Sequence, residues 1–155
     1  MMSGDPHAIP AVLPDGVVEV SETGVGKFQQ SVASGRHRLI ADEPKKFGGM
    51  DSGPGPYELL LASLGTCTAM TIRLYAERKA IALEHVAVTL RHQRVHEEDA
   101  EHSGEAYLER ITRDIRFKGN LSPEDRAHLM SIADRCPVHR TLTGKIEIRT
   151  REVTA

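Results

Sequence analysis

The run LLLASLGTCTAMTI, residues 59–72, constrains the fold more than any other stretch of the chain. Pro56 opens it at a position where proline's missing N–H costs nothing, and Glu58 places a carboxylate at the positive end of the helix that follows. The pattern predicts a helix from Pro56 to about Lys79, with Arg73, Arg78 and Lys79 towards its negative end. Leu60, Leu64, Cys67, Thr71 and Leu74 share one stripe, while Leu59, Leu61, Met70 and Ile72 cover other faces. A helix that is apolar nearly all round has to be enclosed by other elements. Ser63, Gly65, Thr66, Thr68 and Thr71 interrupt the run, which by itself is too short to span a bilayer.

Candidate walls lie on both sides of it. VVEVSE (17–22), KFQQSVAS (27–34) and HRLIAD (37–42) read as short strands separated by Gly24, Gly26 and Gly35. EPKKFGGMDSGPGP (43–56), with Gly48, Gly49, Gly53 and Gly55 among its prolines, reads as irregular loop. Beyond the helix, HVAVTLRHQRV (85–95) alternates Val86, Val88 and Leu90 with Ala87, Thr89 and Arg91. EHSGE turns the chain, and YLERITRDIRFKG (107–119) puts Tyr107, Ile111, Ile115 and Phe117 on one face against mostly charged residues. These two segments predict a hairpin with one wet face. Ser122, Pro123, Glu124 and Asp125 announce a second helix with Leu129, Ile132 and Ala133 as its apolar stripe, ending near Arg135 ahead of Pro137. A last strand is expected in GKIEIRTREV. Three strands, a long helix, two strands, a helix and a strand make an α+β order with mainly antiparallel pairing. No repeat or linker divides the chain, so one domain over 15–155 behind a flexible leader, 1–14, is expected.

Several classes of function are disfavoured. With 20 basic and 22 acidic residues and a net charge of -2, no basic excess points to nucleic acid. Neither a secretory pattern nor a membrane segment is read, so a cytoplasmic location without membrane attachment is expected. GxSxG, CxxC and HExxH are absent, and the glycines of 48–55 lack the lysine of a phosphate loop. No metal or cofactor is expected. What remains is two thiols, in a compartment where thiols stay reduced unless they are catalytic or redox-sensing.

Cys67 reads either as a small buried hydrophobe or as a nucleophile. The second role needs a thiolate and therefore a cation brought by the fold, because a mid-helix position has no helix end beside it. Arg36 and Arg38, flanking His37 on the third strand, are candidates. Cys136, in RCPVHRTLTG, precedes a proline and fits the N-cap of a short helix over Pro137–Leu142, where backbone N–H groups favour a thiolate. An ordinary helix–helix corner would use a cysteine there as well.

Taken together, ADEPKKFGGMDSGPGPYELLLASLGTCTAMTIRLYAERK (41–79) and ADRCPVHRTL (133–142) resemble the OsmC/Ohr family of osmotically inducible and organic hydroperoxide resistance proteins. With the strand order, the resemblance reaches from about residue 16 onward. It implies an intertwined homodimer with antiparallel sheets wrapped around two central helices and with active sites at the subunit interface. It also implies a thiol peroxidase: Cys67 would attack an organic hydroperoxide, Cys136 would resolve the sulfenic acid as a disulfide, and a dithiol reductant would reopen it. In the family an arginine from the N-terminal strands steadies the thiolate, a role that falls to Arg38 or Arg36. A helix glutamate lies ten residues before the first cysteine; here that position is Tyr57, and Glu58 follows it. Alternative readings on the same scaffold are a non-catalytic binder of small apolar ligands and a redox-sensing protein.

Overall fold

The computed structural model describes residues 12–96 and 107–153. Most of the leader, and the EHSGE turn, lie outside these. Two compact units emerge: one from the described residues up to Leu59 joined by those from Arg149, the other Leu60–Ile148.

In the first unit β1 (Val18–Glu22), β2 (Gln30–Ser34) and β3 (His37–Ala41) form an antiparallel meander, in which Val20 faces Val32 and Val32 faces Leu39. Gly35 and Arg36 make the turn between β2 and β3, and Gly35 takes the left-handed φ of +52° that this tight reversal requires. The glycine-rich loop is irregular apart from one 3-10 turn, Lys45–Phe47, yet it is closely specified. The Asp42 carboxylate, nearly inaccessible to solvent, accepts the N–H groups of Glu43, Met50 and Ser52 and the hydroxyl of Ser52, all at 2.7–3.1 Å. A Cβ on Gly53 would stand 2.1 Å from the Ile40 carbonyl oxygen, so the loop lies flat on the end of β3 only because that residue has no side chain.

In the second unit the helix α1 (Pro56–Arg78) continues from Leu60, and β4 (His85–His96) pairs with β5 (Tyr107–Lys118) as a long antiparallel hairpin. Val86 faces Phe117, Val88 faces Ile115 and Leu90 faces Arg113 on one side of it. Ser122 caps α2 (Pro123–Ala133) in a reciprocal box with Asp125, as its sequence predicts. α3 (Pro137–Thr143) completes the unit. The core gathers Ile72 and Ala76 of α1, Leu83, and Leu129, Ile132 and Ala133 of α2. Val86, Ile115 and Phe117 from the hairpin close over it. Leu129 is wholly enclosed, and its truncation to Ala should cost about 2–5 kcal/mol.

Three expectations need correction. The buried stripe of α1 is Leu64, Gly65, Thr68, Ile72 and Ala76, one position round from the stripe read in sequence. Where every face is apolar, spacing alone does not choose the inner one. Nor is the helix enclosed in the single chain: Leu60, Met70 and Leu74 are exposed along its outer side. By length and composition the 23-residue helix could cross a bilayer, which the apolar run 59–72 alone could not, but its inner stripe packs into the protein core. Finally, GKIEIRTREV forms no strand, and Ile146, Ile148 and Val153 remain 55%, 85% and 75% exposed. Alternation makes a strand only where a neighbouring strand offers its backbone, and among the described residues no strand of either sheet takes this segment into its ladder.

Candidate active site

The site in the second unit begins with the end of α2. Pro137 disfavours helical geometry in the residue before it, and Cys136 sits accordingly at φ -62° and ψ 135°. The chain restarts at once as α3, so Cys136 becomes its N-cap and the sulfur accepts the N–H of His139 at 3.3 Å. This is the placement that its sequence suggested. The residue has no solvent exposure.

Cys67 reaches it from α1. It lies on the border between the buried stripe and the outer side of the helix and is only partly covered. Its thiol adjoins the Cys136 sulfur closely enough to favour that group's anion, and both cysteines are free thiols. Thr68, the next residue, is fully buried; its hydroxyl donates to the Leu64 carbonyl at 2.7 Å and stands 3.8 Å from the Cys136 sulfur. Burial pushes the Cys136 thiol up, but the His139 N–H, the Cys67 thiol, the Thr68 hydroxyl and the Val138 N–H outweigh it and hold the group below the ordinary thiol range. The pair therefore combines one accessible sulfur with one enclosed sulfur in an environment that favours its anion.

A residue not singled out in the sequence completes the arrangement. Arg113 of β5, its side chain 13% exposed, donates through Nη1 to the Thr68 hydroxyl oxygen at 2.9 Å and to the Ala133 carbonyl at 3.1 Å. Through Nη2 it binds the Asp134 carboxylate at 2.8 Å. His139 Nδ1 lies 3.9 Å from the same carboxylate. The signal for Arg113 was parity: it shares the apolar face of Ile111, Ile115 and Phe117 and replaces an apolar residue there. A cavity of about 530 Å³ opens beside these groups, with Leu64, Ile111, Met130 and Leu142 among its apolar walls and Arg113 and His139 among its polar ones.

The other predicted site residues belong to the first unit. Arg36 stands in the β2–β3 turn, and Arg38 Nη1 donates to the carbonyls of Gly35 and His37 at 3.0 and 2.9 Å. Glu58 accepts the Gly55 N–H at 2.8 Å, capping the start of α1. Two adjacent thiols, one accessible, can be oxidised stepwise and close as a disulfide.

Residues 49–151 match the family model of OsmC-like proteins. No curated protein matches the chain. Among solved structures, an osmotic stress induced and detoxification response protein from Psychrobacter arcticus 273-4 is 19% identical, with a TM-score of 0.65 over 83% of this chain and 89% of that one. An OsmC-like protein from Mycoplasma pneumoniae gives 22% and 0.63, covering 83% and 85% of the two chains. An organic hydroperoxide resistance protein from Legionella pneumophila gives 19% and 0.60, covering 83% and 88%. At such identities the likeness is one of fold, with antiparallel sheets and helices in the same arrangement.

Proposed function

The chain belongs to the OsmC-like family, and from that premise we propose that it is a cysteine-based peroxidase of organic hydroperoxides. The observation that carries the reading is the contact between a partly exposed Cys67 thiol and an enclosed Cys136. Cys67, as thiolate, attacks the distal oxygen of the hydroperoxide; the O–O bond breaks, the alkoxide leaves as alcohol on taking a proton, and a sulfenic acid remains. Cys136 then attacks the Cys67 sulfur, water departs, and a disulfide forms. A dithiol reductant reopens it and is itself oxidised. The thiolate-steadying role of the family falls to Arg38 or, after it, Arg36.

The exposed apolar side of α1 and the exposed Ile146, Ile148 and Val153 support assembly as a homodimer, in which this apolar surface would be covered. One titration tests the chemistry. Reduced protein treated with one equivalent of cumene hydroperoxide should lose two titratable thiols and yield one equivalent of alcohol, and Cys67→Ser should consume none. Two thiols still titratable beside unconsumed peroxide would remove the peroxidase reading. The cavity beside Leu64 and Met130 favours the second reading, retention of a small apolar ligand. Native mass spectrometry should then show an apolar adduct that survives Cys67→Ser.

A further inference from the structure

The two cysteines are carried by separate elements, Cys67 by the middle of α1 and Cys136 by the junction of α2 and α3, and side-chain packing alone does not fix a sulfur–sulfur distance tightly. Cys67 is placed by α1, Cys136 by the short span from Ala133 to Pro137, and one side chain touches both supports. Arg113 binds Thr68, the residue after Cys67, and at once Ala133 and Asp134, the residues that lead into Cys136. We propose that Arg113 is the positioning residue of the cysteine pair, setting the separation and orientation from which the Cys67–Cys136 disulfide closes.

The chemistry suits an arginine. Its donors lie in one rigid plane, so contacts to a hydroxyl, a carbonyl and a carboxylate fix three positions relative to each other, whereas a lysine ammonium on a flexible stem fixes one. Two of the contacts, to Thr68 and Ala133, are shielded from solvent, where a hydrogen bond from a charged group counts most. The third, to Asp134, ends on a carboxylate 70% exposed and adds little by itself. The hydrogen bonds of Arg113 go to Thr68, Ala133 and Asp134 and not to a sulfur; it acts through Thr68, whose hydroxyl oxygen it holds 3.8 Å from Cys136. The physiological meaning of the role rests on the peroxidase reading, but the role itself concerns only how readily the disulfide closes.

That readiness is measured without peroxide. Oxidised glutathione takes two protein thiols to the disulfide and leaves as two reduced glutathiones, so mixtures of the two forms give the effective concentration of the pair. Wild type, Arg113→Met, Arg113→Lys, Thr68→Val, Asp134→Ala and Leu129→Val are equilibrated, the remaining thiols alkylated and the disulfide read by mass. Arg113→Met should lower the effective concentration about tenfold or more, Arg113→Lys and Thr68→Val less, and Asp134→Ala about twofold. Leu129→Val, which loosens the core cluster that includes Ala133 but removes none of the Arg113 hydrogen bonds, should stay near the wild-type value. The proposal is overturned by a wild-type value in folded Arg113→Met, by an equal fall in Leu129→Val, or by a wild type that forms no disulfide. If Arg113→Met does not fold, Thr68→Val and Asp134→Ala decide, and wild-type values in both overturn it. A protein that closes its disulfide with glutathione but consumes no hydroperoxide loses the peroxidase reading and keeps this one.

Discussion

Asp42 and Arg113 are two poorly exposed charges that organise their surroundings by opposite means. Asp42 collects donors from Glu43, Met50 and Ser52, all within ten residues of it in sequence. Arg113 collects acceptors from Thr68, Ala133 and Asp134, which stand 45, 20 and 21 residues away. A local clamp forms as soon as its own loop folds back, with little chain entropy to overcome. The distant clamp requires α1, β5 and the end of α2 to be in place first. The first therefore specifies a loop, and the second specifies a meeting of elements. Their removal should differ in kind as well as size.

Of the two clamps, the larger loss of stability is expected at Asp42. Asp42→Ala leaves three N–H groups of a close-packed loop without their acceptor and should lower the melting temperature on the order of 5–10 °C, with faster amide exchange confined to residues 43–55. The glutathione equilibrium of the cysteines should not move, because Thr68, Val138 and His139, which surround the pair, all lie within Leu60–Ile148. A change in it would show that the two clamps are one system. The same carboxylate predicts an acid dependence. The Ser52 hydroxyl, opposed by burial and helped by the N–H groups of Ser52, Glu43 and Met50, holds the Asp42 carboxyl below its ordinary value. The unfolded chain thus takes up this proton at higher pH than the folded one, so the stabilisation is complete above about pH 4 and drains away as pH falls through the lower folded value. Melting temperatures measured from pH 6 to pH 2 should show this loss in the wild type and not in Asp42→Asn.

How much of this was legible follows the same division between local and distant. The N-cap at Ser122, the strands of the meander and hairpin, and the capping position of Cys136 were readable because each depends on residues within a few positions of one another. Glu58 was readable in the same way, and its bond to the Gly55 N–H is that of a first-turn cap. The meeting of Cys67 with Cys136 spans 69 positions, and only the family resemblance suggested it. Arg113 was hidden by its neighbours: RITRDIR reads as a charged face because three of its seven residues are arginine, although its parity with Ile111 and Ile115 assigns the middle one to the core side. The inner stripe of α1 was misplaced by one position for the opposite reason, an excess of apolar candidates. GKIEIRTREV carries a strand pattern without a strand, since pairing is a property of the neighbour as much as of the segment.

A smaller effect sharpens the local side of the comparison. Gly53→Ala would press a methyl carbon to within 2.1 Å of the Ile40 carbonyl oxygen, a backbone atom that cannot swing aside. The loop must lift from β3, and the expected cost is about 1–3 kcal/mol in urea unfolding. Combined with Asp42→Ala, it should cost less than the sum of the two, because a loop already released has less close contact to lose. Strict additivity would mean that Asp42 and the glycine contact hold different parts of the loop.

The smallest effect comes from the residue next to Arg113. Asp114 belongs to the same strand but points to the opposite face, where it pairs with Arg91 at 3.2 Å and both side chains are 63% exposed. Water already solvates both ions there, so bringing them together gains little against the side-chain freedom lost. Asp114→Ala should change stability by no more than about 0.5 kcal/mol, and salt should narrow even that difference. Arg113→Met, one position away, should cost about 1–3 kcal/mol, since it leaves the Ala133 carbonyl without its charged donor and the Thr68 hydroxyl without one of its three hydrogen bonds. Urea titrations of the two variants at low and high salt make the contrast direct. Equal losses would mean that β5 is held by its charges irrespective of the face they occupy. A large loss at Arg113 that salt leaves intact would place the difference in burial, which separates a charge that organises a site from one that decorates a surface.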